Sequence, residues 1–410
     1  MINIDNAFNT ENETVYKYFQ RPGVGYYIPL YQREYSWDSD NIEQLLEDIS
    51  KGVEGTLTDE ENEIRFLGTI ITVAETDKRN IHPQDTKALP SIIEKIIDGQ
   101  QRLSSIALVA ALLLKHLRDL QRNLERATKK LDVEEEKKAL LLDELHEIKE
   151  FWEEKLLDTF SVDLKRGEPS RKPKIIRGSE DKWVMKEEDN TSYLSPVSLY
   201  LYEFLNYLLK DGEEPKFTKE NNAGQNLKII DGWIKNEVIK AHLVQDSFPD
   251  AKSILLKINE EDIWQYPREF HKAHIKETDL GVAKSFTYNF YALVQLCAAS
   301  HYLLDRCCFT IIQPINDDWA FDMFQSLNAT GTPLTAIETF KPLVVNVVNK
   351  EGSSFKLSHE NEYFTKVFIN EGLMPSLNFS STRFNLKVKT FPNPASGDKL
   401  NVNFDVEHGG

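Results

Sequence analysis

The sequence predicts an α+β protein, a small α/β core at the N-terminus followed by a mainly helical region. Three observations carry this reading. Within residues 12–118, the β-branched runs Ile64–Ala74 and Ile92–Ile97 lie among helical patterns. From Arg118 to Phe160 the composition turns to Leu, Glu, Lys and Arg at helical spacing, the pattern of a surface helix pair. Helical patterns return at 195–209, 223–245 and 292–304, with one short strand at 308–314. The expected organisation is therefore a core over 12–118, a mainly helical region over 119–345 and an extension over 346–410. The extension is sparse in apolar residues and is expected to be partly disordered.

Taken in order, Tyr26 to Tyr35 is extended, because Ile28 precedes Pro29. A helix is expected from about Asp40 to Ile49, with Ile42, Leu45, Leu46 and Ile49 on one face. The strand 64–74 follows an acidic loop, and a second loop leads to the strand 92–97. Leu103 to Leu117 is an almost continuously apolar helix. Near the end of the helical region, a helix over 317–327 runs into a tight turn, Asn328 to Leu334, and another helix spans 335–348.

The joint between strand and helix is Asp98-Gly99-Gln100-Gln101-Arg102. A strand that stops at Asp-Gly and restarts as a helix leaves free N–H groups at the positive end of the helix dipole, a place suited to phosphate. Gly99 permits close backbone approach, Gln100 and Gln101 offer amides, Ser104 lies in the first turn, and Arg102 can take a phosphate bidentately. In this reading Asp98 positions Mg²⁺ or an attacking water. The competing reading is an ordinary turn with a surface arginine, and spacing alone slightly favours it. The extended Tyr31-Gln32-Arg33 can add a second cation beside the turn, or serve the core and a salt bridge.

Composition narrows the rest. The net charge of −17 argues against non-specific coating of nucleic acid, although a local basic groove remains compatible with it. Lys165, Arg166, Arg171, Lys172, Lys174 and Arg177 form a basic loop able to touch DNA phosphates, and such a loop is more often a linker. Three cysteines, two of them adjacent, make no disulfide framework or zinc site and read as buried thiols of a reducing compartment. His271 and His274 are a surface pair without metal-site framing. With no signal pattern and no membrane span, the expected location is cytoplasmic. There is no nucleophile elbow and no P-loop.

Four ordered segments carry a resemblance: Ile28-Pro-Leu-Tyr-Gln-Arg-Glu-Tyr-Ser-Trp37, Phe66-Leu-Gly-Thr-Ile70, Ile97-Asp-Gly-Gln-Gln-Arg-Leu103 and Phe324-Gln-Ser-Leu-Asn-Ala-Thr-Gly-Thr-Pro-Leu334. Together they resemble the DGQQR family, the GmrS-type domains of modification-dependent restriction systems with a ParB/sulfiredoxin-like core. The resemblance implies a nucleoside triphosphatase of bacterial phage defence that works on modified DNA with an HNH-type nuclease. It implies catalytic roles for Asp98, Gln100, Gln101 and Arg102, and nucleotide contacts from Tyr31, Gln32, Arg33, Gly99, Arg102 and Ser104, with Mg²⁺ as cofactor. After Leu334 only His359 and His408 remain, without the framing an HNH site needs. The nuclease is therefore expected on a separate subunit or an additional domain, with no nuclease activity from this chain alone. Self-association into a homo-oligomer is compatible with this reading. The alternative is a non-catalytic DNA-binding or adaptor module of the same fold.

Overall fold

The computed structural model describes residues 8–29, 32–58, 63–76, 81, 89–164, 171–178, 180–184, 192–210, 212–244, 248–266, 268, 274–314 and 319. By compactness the chain divides into Met1–Val347 and Val348–Gly410. The second unit, the turn at 328–334 and the helices expected at 317–327 and 335–348 lie outside the described residues, apart from Trp319.

The first unit is built on one mixed sheet. Its strands are β1 (Phe8–Thr14), β2 (Val24–Ile28), β3 (Arg65–Ala74), β4 (Ile92–Asp98), β7 (Ile175–Arg177) and β8 (Cys307–Pro314). They lie in the order β1-β8-β3-β4-β2-β7. Pairing is antiparallel at β1/β8 and β3/β4 and parallel at the other three seams. Sequence patterning predicts the two central strands β3 and β4 directly, because their β-branched residues bury on a covered sheet. Three-residue β7 is too short to show any period. A small ribbon pairs β5 (Ser161–Asp163) with β6 (Arg171–Pro173).

Helix α3 (Gln100–Thr128) is the axis of the core. Leu103, Ile106, Leu108, Leu112, Leu113 and Leu117 are all buried to within 1% of full enclosure, each such side chain contributing about 1.5–3 kcal/mol. Leu and Ala, with few β-branched residues, favour one uninterrupted helix of this length. It passes residue 118 without a break. Against it packs α4 (Glu135–Phe160), whose Leu141, Leu145, Ile148, Trp152 and Leu156 are buried. Trp152 also donates its indole N–H to Ile263 O at 2.6 Å. The stretch 118–160 expected on the surface is thus half interior, because its apolar residues form one continuous stripe.

Short α1 (Val15–Phe19) follows β1, and α2 (Ser39–Gly55) starts at a capping box between Asp38 and Asn41. Farther along lie α5 (Pro196–Leu209), α6 (Asn222–Trp233) and α9 (Phe286–His301), where helices are expected, with the short α7 (Ala251–Lys257) and α8 (Glu260–Trp264) before α9. Cys297 and Cys307 are buried and unpaired, Cys308 is partly buried, and burial pushes all three thiols up.

Candidate functional site

Strand β4 ends at Asp98, and Gly99 turns the chain into α3 with φ +92° and ψ 3°. Any side chain there would be strained by that φ, and its Cβ would sit 2.2 Å from Ile70 Cδ1. Gly99 brings no side chain to cap the helix, so among the described residues the first N–H groups keep their dipole without an N-cap side chain. The Asp98 carboxyl is half-buried and accepts from the Gly99 N–H. Burial pushes its pKa up; Arg102, the Gly99 N–H and Arg33 draw it down, and burial prevails.

Arg102 lies over β3, donating Nη1–H to Thr69 O at 2.8 Å. There β3 bulges, with Phe66 opposite Cys308 and Thr69 opposite Thr310. Gly68 sits in the bulge at φ +106°, and an added Cβ would stand 3.0 Å from Arg102 Cζ. The Phe-Leu-Gly-Thr segment is thereby explained: its glycine makes both the bend and the seat of the guanidinium.

The two glutamines face inward, onto the segment 32–37. Gln100 Nε2 donates to Gln32 Oε1 (3.2 Å) and Arg33 O (3.0 Å). Gln101 Nε2 donates to Glu34 O (2.9 Å), and its Oε1 accepts from the N–H groups of Ser36 (2.8 Å) and Trp37 (3.3 Å). Gln32 Nε2 donates to Ile97 O at 2.6 Å. From β7, Arg177 donates Nη1–H to Arg33 O (2.7 Å) and Nη2–H to Gln32 O (2.9 Å), while its Nε–H reaches Glu180 (2.8 Å). Asn226 of α6 donates to Trp37 O at 2.9 Å and to the Tyr35 hydroxyl at 3.0 Å. A segment with no strand partner among the described residues is thus strapped down by side chains from three elements.

Asp98, Gly99, Arg102 and Arg33 come together at the joint; Arg33 is exposed. Gln100, Gln101 and Gln32 are beside it, with their amides committed to the protein. Ser104 is buried and lines a small cavity of about 30 Å³ with Gln100, Gln101 and Arg177. Tyr31 lies outside the described residues.

The basic stretch behaves differently from a loop. Lys165 and Arg166 lie outside the described residues. Arg171 pairs with Asp158 at 2.9 Å. Lys172 is buried, 5.6 Å over the Tyr202 ring. Lys174 is buried, donates to Phe19 O and to Asp158 O (2.9 Å), and burial lowers its pKa to about 8. With Arg177 on the strap, the described residues of this stretch serve the fold rather than an open DNA-facing surface. The prolines and charges that suggest a loop conceal two short strands: β6, which pairs with nearby β5, and β7, whose partner β2 is far away in sequence.

Sequence reasoning missed Arg177 and Asn226 as supports of the joint. Neither has a local signal, since their partners are main-chain atoms roughly 140 and 190 residues away. Among the described residues no group of three His, Cys, Asp or Glu is set to hold a metal ion, and no helix is long and apolar enough to cross a membrane.

The fold and the joint define an α+β domain with a glycine-capped strand-to-helix turn flanked by two arginines. The family described as GmrSD restriction endonuclease, N-terminal domain, matches residues 15–345. With most of its length covered, the chain belongs to that family, and is a restriction protein of phage defence. A comparison with curated proteins finds none that matches.

Proposed function

We propose that the chain binds and hydrolyses a nucleoside triphosphate at the joint, as the nucleotide-processing part of a restriction system acting on modified DNA with an HNH-type nuclease. The observation that carries this reading is the uncapped N-terminus of a 29-residue helix beside Asp98, Arg102 and Arg33. Main-chain N–H groups of the first turn and the two guanidiniums take phosphate oxygens. Arg102 spends one N–H on Thr69 O, which fixes its plane and leaves four donors.

Asp98, its pKa raised by burial, is placed to accept a proton from the attacking water. In the alternative role, Asp98 would hold Mg²⁺ through its one carboxylate, and the ion would supply charge neutralisation at the transferred phosphoryl group. The glutamines act as positioning residues, holding Arg33 over the turn. That commitment of their amides is also the one observation that favours the alternative, a non-catalytic DNA-binding or adaptor module.

Phosphate release from each nucleotide, with and without modified DNA, tests the reading. Arg102→Ala and Asp98→Ala should each abolish it while the protein stays folded. Hydrolysis that survives both changes overturns the proposal.

A further inference from the structure

Beside Arg102 opens a cleft of about 210 Å³ between α2 and the bulge of β3. That is below the roughly 300 Å³ at which pockets enclose whole drug-sized ligands, and it suits a single heterocyclic ring. Trp37, half-buried, and Phe66, 56% exposed, both line it. An aromatic of that exposure gains little from folding. It stands where it does because the bulge at Leu67 and Gly68 re-aims the strand.

The opposite wall, on α2, is polar. Asn41 caps the helix through its Oδ1, and its Nδ2 makes no hydrogen bond among the described residues. Gln44 donates Nε2–H to Asp48 at 3.0 Å and keeps its carbonyl oxygen unused among them. Asp48 is in turn neutralised by Arg65 at 2.7 Å. The cleft therefore joins two aromatic faces, amide donors and acceptors of both senses, a compensated carboxylate and one guanidinium shared with the joint.

We propose that this cleft is a nucleobase subsite: the base stacks on Phe66 and Trp37, its edge is read by Asn41 and Gln44, and its phosphates extend past Arg102 to the start of α3. The assignment rests on the reading of the joint as a phosphate site. A base can come from a free nucleotide or from a nucleotide turned out of a DNA strand, and the two sources share this chemistry.

Calorimetric titration of ATP, GTP, CTP, UTP and inorganic tripolyphosphate into wild type, Phe66→Ala and Gln44→Ala separates the contributions. Both side chains are exposed, so circular dichroism and melting should remain those of wild type. The preferred nucleotide should bind more tightly than tripolyphosphate, and Phe66→Ala should remove about tenfold of that affinity without changing the affinity for tripolyphosphate. Gln44→Ala should alter the ranking of the four bases. Equal losses for nucleotide and tripolyphosphate, or no loss for either, overturn the subsite. If neither ligand binds wild type, the phosphate reading fails, and a single-stranded oligonucleotide decides the subsite. A Phe66-dependent preference for an intact strand over one with an abasic position supports a base drawn from DNA. Absence of that preference overturns the subsite.

Discussion

Two buried polar clusters hang from the same helix, about 22 Å apart along its axis. At its first turn, Gln100 and Gln101 bind the main chain of 32–37 with neutral amides. Four turns on, His116 Nε2 meets Asp231 of α6 at 2.8 Å, Lys235 meets the same carboxylate at 2.7 Å, and Lys115 pairs with Glu214. The first cluster gives shape to a segment that lacks secondary structure. The second ties one finished helix to another. Amides on main-chain atoms are directional and insensitive to pH, which suits a part that must present Arg33 in one place. Ion pairs between side chains are less exacting in geometry, and they titrate.

The largest expected break in the comparison is Gln101→Ala. It leaves Glu34 O and two N–H groups without their partner, and stability to urea should fall by about 3 kcal/mol, with water relieving part of the loss. Next comes acid. Burial alone would raise the Asp231 pKa, but the hydrogen bonds from His116 and Lys235 outweigh it and bring it down to about 2. A carboxylate depressed below its unfolded value stabilises above about pH 4, and that contribution is lost as pH falls toward 2. The loss should be about 2 kcal/mol by pH-dependent denaturation, and Asp231→Asn should flatten the dependence. The first cluster should contribute no such slope.

Arg177→Lys sharpens the comparison from the other side. It keeps the charge and loses the fork that spans two carbonyls, so about 1–2 kcal/mol should go while pH dependence stays that of wild type. A pH-dependent loss would show that the pair with Glu180, rather than the two main-chain carbonyls, carries the energy of Arg177. Smallest is Phe66→Ala, which touches neither cluster and should change the unfolding free energy by less than about 0.5 kcal/mol.

The legible parts of the molecule were those with local periodicity. Strands β3 and β4, helix α3 and the Asp98–Arg102 joint follow from runs of apolar residues broken by Asp-Gly. The sheet edges were illegible, because β1 reads Phe-Asn-Thr-Glu-Asn-Glu-Thr, with no apolar alternation, and takes its order from pairing with β8. The direction of the glutamines was illegible for a related reason. An amide suits a phosphate and a main-chain carbonyl equally, and only the path of residues 32–37 decides between them.

The position of β8 between β1 and β3 sets a condition on synthesis. A ribosome must add about 240 residues after β3 before Pro314 exists, roughly 10 to 50 s at ordinary elongation rates. Through that interval the nascent chain carries a long strand with an unpaired edge, the kind of template on which other chains aggregate. Holding that edge apart from its neighbours until β8 arrives is a task for whatever accompanies the emerging polypeptide. Any fragment ending before Cys307 keeps the edge open for good.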